Sequence, residues 1–182
     1  MTIKESFDVI GFPTSWGLPQ FKNNYPVRNA LAVEQLTSAG AILFGKTNVP
    51  VMLADWQTFN PLYGTTNNPW DVTRTPGGSS GGSAAALATG MSVIDMGSDI
   101  GASIRNPAHY CGVYGHKPTY GVVPYRGHLM PGSVSISDIT VAGPMARSAR
   151  DLSAMMAVMA ASEGIEARGL RVDLPKATQT TF

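Results

Sequence analysis

Apolar residues recur along the chain at helical and strand spacings, and they predict alternating helices and strands. Residues 27–39 place apolar side chains on one helical face, and Gly40 follows as a stop. The apolar run at 41–44 then predicts a buried strand. The pattern repeats further on, where the alanine-rich stretch 84–90 predicts a helix and residues 93–96 predict a short buried strand.

The C-terminal part contains one further helix signal. Ser148 is followed three residues later by Asp151, an arrangement typical of a capped helix start, and Gly164 is a candidate stop. Because a methionine stripe at helical spacing is usually core, we expect this helix to pack inward. Residues 165–182 are polar, and we expect a loosely ordered tail there. The apolar face of the predicted helix consists of Leu152, Met155, Met156 and Met159.

Shorter elements are predicted between these segments. Residues 51–56 follow an Asn-Val-Pro start signal and read as a short helix packed by Met52 and Trp56. Residues 57–73 read as a loop, and residues 121–140 read as turns around a brief strand at 122–123.

A length of 182 residues predicts one domain over residues 1–182. The net charge is +1, only 14% of the residues are charged, and basic runs are missing, so the sequence gives no support for nucleic-acid or membrane-surface binding. Cys111 is the only cysteine and excludes an intrachain disulfide. Neither an apolar run of about 20 residues nor a secretory signal is visible. We therefore expect a cytoplasmic location.

Two glycine-rich stretches that contain serines are the candidates for chemistry. Residues 75–83 contain Ser79 and Ser80, and residues 97–105 contain Ser103. Glycine lets the backbone approach a ligand and adopt positive φ, so each stretch can present a hydroxyl beside free N–H groups. This combination suits acyl transfer. The helix and strand predicted between the two stretches can bring them together.

Ser103 precedes a predicted short helix at 104–110. A serine at this position either caps the helix or lies where unpaired N–H groups stabilise an oxyanion, and the sequence leaves both readings open. Asp99 and Arg105 flank it. They could act as catalytic charges, but we expect a buried pair that fixes the loop.

Two literal motif matches offer alternatives. Residues 78–82 fit the G-x-S-x-G nucleophile elbow with Ser80 at its centre, but that elbow requires a preceding strand and Thr-Pro-Gly stands there instead. Its base would be one of three histidines, none spaced as metal ligands, so we expect neither a metal nor a cofactor. The three histidines are His109, His116 and His128.

Residues 40–47 fit the phosphate-loop pattern G-x-x-x-x-G-K-[ST]. Such a loop must curl its N–H groups around phosphates, whereas residues 41–44 should be extended. We therefore interpret Lys46 as structural or adjacent to a pocket, and nucleotide binding stays an alternative.

Taken together, the motifs resemble the amidase signature family of Ser-Ser-Lys amide hydrolases, and the resemblance covers nearly the whole chain. Members are much longer, so by resemblance this chain is truncated at both ends. The resemblance implies an α/β fold with a mixed β-sheet flanked by α-helices. The matching segments are residues 3–5, 45–50, 67–70, 75–83, 97–105, 111–119 and 143–147.

The resemblance also implies roles for individual residues. Ser103 would be the nucleophile, Ser79, after a cis peptide from Gly78, would relay its proton, and Lys4 would be the general base. The two serines keep the family's spacing of 24 positions. On position alone, Lys4 would be an exposed terminal lysine. As a base it must be neutral, which requires burial or hydrogen bonding to lower its pKa.

The implied oxyanion hole comprises the N–H groups of Ile100, Gly101, Ala102 and Ser103, and Ser80 would tighten the turn. Ala102 departs from the glycine common in the family, and we expect a negative φ there. The substrate would be a small-molecule amide of unreadable identity. Missing strands would leave an open edge and favour a homo-oligomer. An inactive fragment or an interaction module is the alternative from another class.

Overall fold

The computed structural model describes residues 1–135, 137–162 and 164–175. Seven strands and four α-helices form the described structure. The strands are β1 (Thr2–Lys4), β2 (Gly45–Thr47), β3 (Phe59–Asn60), β4 (Gly64–Thr65), β5 (Ile94–Asp99), β6 (Tyr114–Gly115) and β7 (Val141–Ala146). The helices are α1 (Leu31–Ser38), α2 (Gly81–Ala88), α3 (Arg105–Cys111) and α4 (Ala149–Met159).

Five of the strands form one mixed sheet, in the order β2-β1-β5-β7-β6. Strand β1 is parallel to both β2 and β5, and β7 runs antiparallel to β5 and β6. Strands β3 and β4 form a separate antiparallel pair. The α/β class with a mixed sheet is confirmed. This order puts the C-terminal end of β1 next to that of β5, so Lys4 lies near the loop that begins after Asp99.

Two hydrophobic clusters pack the helices onto the sheet. One joins α1 and α4 to β1 and β5 through side chains such as Val33, Met159, Ile3 and Met96. The other joins α2 and α3 to β7 through Leu87, Cys111 and Met145. Burial of these apolar surfaces is the main force that holds the site-bearing loops in place.

The predicted strand at 41–44 is wrong. Ile42 and Phe44 are 79% and 59% exposed, and the strand starts only at Gly45. The reason is that residues 45–47 lie alongside β1 and hydrogen-bond to it, whereas the run before them has no neighbouring strand in the described sheet. Helix α1 likewise begins later than the pattern predicted, because Val27 is 96% exposed and outside its buried face.

Two other short predictions also fail. Residues 51–56 contain only a 3₁₀ turn at Val51–Leu53, and Met52 and Trp56 are 49% and 55% exposed instead of packed. Residues 122–123 are not a strand, although Val123 is buried. The helix predicted at 51–56 does not form because Met52 has φ 55°, a backbone conformation that cannot continue a helix.

Helix α4 starts as predicted. Ser148 Oγ accepts a hydrogen bond from the Asp151 N–H at 3.1 Å, and the three methionines of its apolar face are buried. It ends at Met159 and not at Gly164, because the extended Ala160 directs the next N–H, that of Ala161, to the Val122 carbonyl. With 11 residues it is the longest helix that the structure describes, too short to cross a membrane. Of the predicted tail, residues 176–182 lie outside the described residues.

Candidate active site

Lys4 ends strand β1 and is completely buried. Its Nζ lies 2.6 Å from Ser79 Oγ, 2.9 Å from Ser98 Oγ and 3.2 Å from the Ser98 carbonyl oxygen. The exposed position that its place in the sequence suggested is therefore wrong. Three short polar contacts hold the amine in one place, next to the predicted relay serine.

The surroundings of Lys4 change its acidity. Burial lowers the pKa of the Lys4 amine from 10.5 to about 7, although the Asp99 and Asp95 carboxylates act in the opposite direction. Removal from water disfavours the charged form, which is why burial dominates. At neutral pH a large fraction of the amine is therefore unprotonated. In that form it can accept the proton of the Ser79 hydroxyl.

The turn around Ser79 is shaped by close packing. The peptide bond between Gly78 and Ser79 is cis, as the resemblance implied. A side chain on Gly78 would place its Cβ 2.5 Å from the Asp55 carbonyl oxygen, so only glycine fits there. The neighbouring Ser80 is fully buried and donates its N–H to the Ser103 carbonyl at 3.1 Å. These contacts tie the two serine-containing loops together.

Ser103 stands two residues before helix α3 and is 6% exposed. Together with Ser79 it lines a cavity of about 300 Å³. Its hydroxyl makes no hydrogen bond with any residue that the structure describes. The fold thus brings the hydroxyls of Ser79 and Ser103 to one cavity, and the Lys4 amine lies behind it, in contact with Ser79 Oγ.

The loop between β5 and α3 is held by Asp99. Its fully buried carboxylate accepts hydrogen bonds from the Ala102 and Ile104 N–H groups and from the Arg105 guanidinium, whose Nε and Nη2 both lie at 3.0 Å. Burial alone would raise the pKa of Asp99, but the Arg105 and backbone hydrogen bonds outweigh it and lower the pKa below its usual value. Neither charge lines the cavity, but the pair is not buried as we expected, because the Arg105 side chain is 52% exposed while Asp99 is enclosed.

The predicted oxyanion donors are not equivalent. The Ala102 N–H already donates to Asp99 Oδ1 at 2.9 Å. The N–H groups of Ile100, Gly101 and Ser103 donate to no group in the described residues, so they are available to a ligand. Ala102 has φ 75°, which contradicts the expected negative value. Two hydrogen bonds hold this strained conformation: the one from the Ala102 N–H to Asp99, and one from the Trp56 indole N–H to the Gly101 carbonyl oxygen at 3.1 Å.

The two alternative motifs do not form their sites. Residues 40–47 consist of a turn, an extended segment and strand β2, so their N–H groups do not converge, and Lys46 Nζ donates to the Pro13 carbonyl at 2.6 Å. For the elbow, the Ser80 hydroxyl donates to the Ser98 carbonyl at 3.4 Å, and the buried His128 pairs with Ser6 instead. Lys46 is structural, and it adjoins a separate cavity, as expected.

Sequence reasoning missed two residues beside Lys4. Ser98 makes two of the three contacts of the Lys4 amine. It lies in the glycine-rich stretch 97–105, but the sequence alone did not assign it a role. Asp95 is fully buried on β5, accepts a hydrogen bond from the Thr2 hydroxyl at 2.6 Å, and has a pKa that burial raises to about 7. An aspartate inside an otherwise apolar strand was the signal that could have drawn attention to it.

Fold and site together define an α/β protein in which a buried lysine is hydrogen-bonded to one serine. A second serine, just before a helix, lines the same cavity as the first. The family model described as Amidase matches residues 1–172. A glutamyl-tRNA(Gln) amidotransferase subunit from a Synechococcus species is 41% identical over 177 residues, 97% of this chain and 36% of the relative. The chain therefore belongs to the amidase family and spans about a third of the length of this relative.

Solved structures show the same relationship. The crystal structure of the corresponding glutamyl-tRNA(Gln) amidotransferase subunit from Thermotoga maritima matches with a TM-score of 0.86 at 35% identity, over 94% of this chain and 37% of that one. The native peptide amidase from Stenotrophomonas maltophilia matches with a TM-score of 0.84 at 29% identity, over 95% and 36% of the two chains.

Proposed function

We propose that this chain carries the catalytic serines and lysine of an amidase, which cleaves a carboxylic amide through an acyl-Ser103 intermediate. The observation that supports this most directly is the 2.6 Å contact between Ser79 Oγ and a completely buried Lys4 amine. A buried lysine with a lowered pKa is suited to act as a general base near neutral pH. Membership of the amidase family supports the same reaction class.

In the first half of the reaction, Ser103 Oγ attacks the amide carbonyl carbon. Its proton passes to Ser79 Oγ as the Ser79 proton passes to Lys4 Nζ, so the net transfer is from Ser103 to Lys4. The carbonyl oxygen becomes an oxyanion, which the N–H groups of Ile100, Gly101 and Ser103 stabilise. In comparable sites one such donor contributes about 3 kcal/mol.

In the second half, the proton held by Lys4 returns through Ser79 to the departing amine nitrogen, and the C–N bond breaks. Water then attacks the acyl-Ser103 ester with the same relay removing its proton. The carboxylic acid leaves and Ser103 regains its hydrogen. Each proton that Lys4 accepts is therefore returned within one cycle.

The competing candidate is an inactive fragment or an interaction module. The observation that favours it is the span of the chain, only about 36% of its Synechococcus relative. In that case the cavity would exist but Ser103 would not react.

A fluorophosphonate probe distinguishes the two, because it reacts covalently with activated serines. We expect one adduct, mapped by peptide mass spectrometry to Ser103 and absent in Ser103→Ala. Ser133→Ala, which removes another hydroxyl that lines the same cavity, is the matched control and should label normally. Unlabelled wild-type protein, or labelling that persists in Ser103→Ala, would contradict the proposed function.

A further inference from the structure

The cavity at Ser103 is lined by six apolar residues from separate parts of the chain, together with six serines, Thr140, Tyr125 and His128. The Met52 side chain is 49% exposed and Ile100 is 46% exposed, so apolar surface is open to a ligand at this site. Such surface gains free energy when an apolar group covers it. The apolar side chains of the wall are Trp16, Met52, Leu53, Ile100, Leu129 and Met130.

Charge is missing from the same wall. None of the described side chains that line the cavity belongs to Asp, Glu, Lys or Arg. His128 lines it, but burial lowers the pKa of its imidazole well below the usual value, so the ring is neutral. Lys4 lies behind the serines and is engaged by them, and Arg105 is paired with Asp99. A charged group that entered would find hydroxyl and N–H partners there, but no described side chain of opposite charge to offset its lost hydration.

Backbone strain is concentrated around this cavity. Trp16, Met52 and Leu53 have φ values of 55°, 55° and 59°, a region that bulky side chains rarely adopt. The Met52 N–H donates to the Trp16 carbonyl at 2.8 Å, which joins two of these strained positions. The remaining described non-glycine residue with positive φ, Ala102, directly precedes Ser103. Strain that the surrounding structure maintains at one site is typical of a functional wall.

From the apolar wall, its lack of charge and its strained backbone, we infer that the substrate of this site is an uncharged amide with an apolar acyl group. This inference rests on the proposed function, because it names the substrate class of the same cavity. It separates simple aliphatic or aryl amides from amides of amino acids that carry an ammonium and a carboxylate.

A matched pair of amides tests the inference. Glutamine and 4-methylpentanamide have the same carboxamide chain, and two methyl groups in the second replace the ammonium and carboxylate of the first. Each is measured by the concentration that halves the rate of fluorophosphonate labelling at Ser103. We expect 4-methylpentanamide to protect at a concentration at least about 100-fold lower than glutamine, because unpaired charges are costly to desolvate.

The outcomes separate the two levels of the proposal. Equal or better protection by glutamine, or no protection by 4-methylpentanamide up to its solubility, overturns the substrate class and leaves labelled Ser103 and the proposed function in place. If Ser103 is not labelled at all, the proposed function fails and the inference fails with it.

A variant tests the wall itself. Met52→Lys places an ammonium at the cavity in a side chain of similar length. It should weaken protection by 4-methylpentanamide at least about 10-fold and improve protection by glutaramate, a carboxamide with one carboxylate, by a similar factor. Met91→Lys, at a 73% exposed position outside the cavity lining, is the matched control and should change neither value. Unchanged protection in Met52→Lys would contradict the assignment of this wall.

Discussion

Replacing Lys4 by methionine should change how the stability of the protein depends on pH. In the unfolded chain the lysine keeps its proton up to about pH 10.5, whereas in the folded protein burial lowers the pKa to about 7. Between these values the unfolded state binds one more proton than the folded state, so the free energy of unfolding rises with pH across this window. Methionine has no proton to bind and removes this contribution.

The magnitude follows from the size of the pKa shift. A decrease from 10.5 to about 7 spans about 3.5 pH units, and one unit corresponds to about 1.4 kcal/mol. Lys4 therefore makes the folded protein about 5 kcal/mol less stable at pH 7 than at pH 10.5. The free energy of unfolding of Lys4→Met minus that of wild type should therefore be about 5 kcal/mol larger at pH 7 than at pH 10.5.

Urea unfolding followed by tryptophan fluorescence between pH 6.5 and 10.5 measures this difference. Lys46→Met is the matched control, because burial lowers the pKa of Lys46 only to about 8 and its contribution spans a narrower window. By the same conversion, the corresponding pH-dependent difference in the free energy of unfolding between Lys46→Met and wild type should be about 3 kcal/mol. Parallel pH profiles for Lys4→Met and wild type would refute the conclusion that Lys4 is a desolvated amine.

Three other substitutions test the loops and strand around Lys4. Ala102→Gly should raise the free energy of unfolding by about 1 kcal/mol in urea, since φ is 75° there; a loss of stability would contradict the strained backbone. Gly78→Ala should cost at least about 2 kcal/mol because a backbone oxygen lies 2.5 Å from the new Cβ, whereas Gly101→Ala, with open space, should cost less than about 0.5 kcal/mol; equal costs would refute the packing. Asp95→Asn should move the pH midpoint of Ser103 labelling downward, because the Asp95 carboxylate raises the pKa of Lys4; an upward movement would exclude that coupling.

Much of the fold followed from periodicity and turn residues, and the failures have local causes. Helix α4 was predictable because its cap and its methionine face are both encoded within a few residues. The strand at 41–44 was not, because whether an apolar run becomes a strand depends on the distant segment beside it. Here only residues 45–47 lie along β1. The hydrophobicity of residues 41–47 does not reveal which of them will pair with β1.

The candidate site could be predicted in part. The serine-containing glycine loops marked Ser79 and Ser103 from the sequence, and the family resemblance added Lys4. Burial of Lys4 depends on strands that flank β1 from residues more than 40 positions away, so a terminal lysine gave no local sign of it. The positive φ of Ala102 was equally hidden, because it depends on a hydrogen bond to Asp99 and not on the intrinsic preference of alanine.

The pH dependence of fluorophosphonate labelling at Ser103 tests the central claim most directly. If Lys4 is the base, the labelling rate should rise with pH through a midpoint near 7 in wild type, as the amine loses its proton. It should fall at least about 100-fold in Lys4→Met and keep the wild-type profile in Lys46→Met. A Lys4→Met variant that labels at the wild-type rate with the same midpoint would contradict the claim.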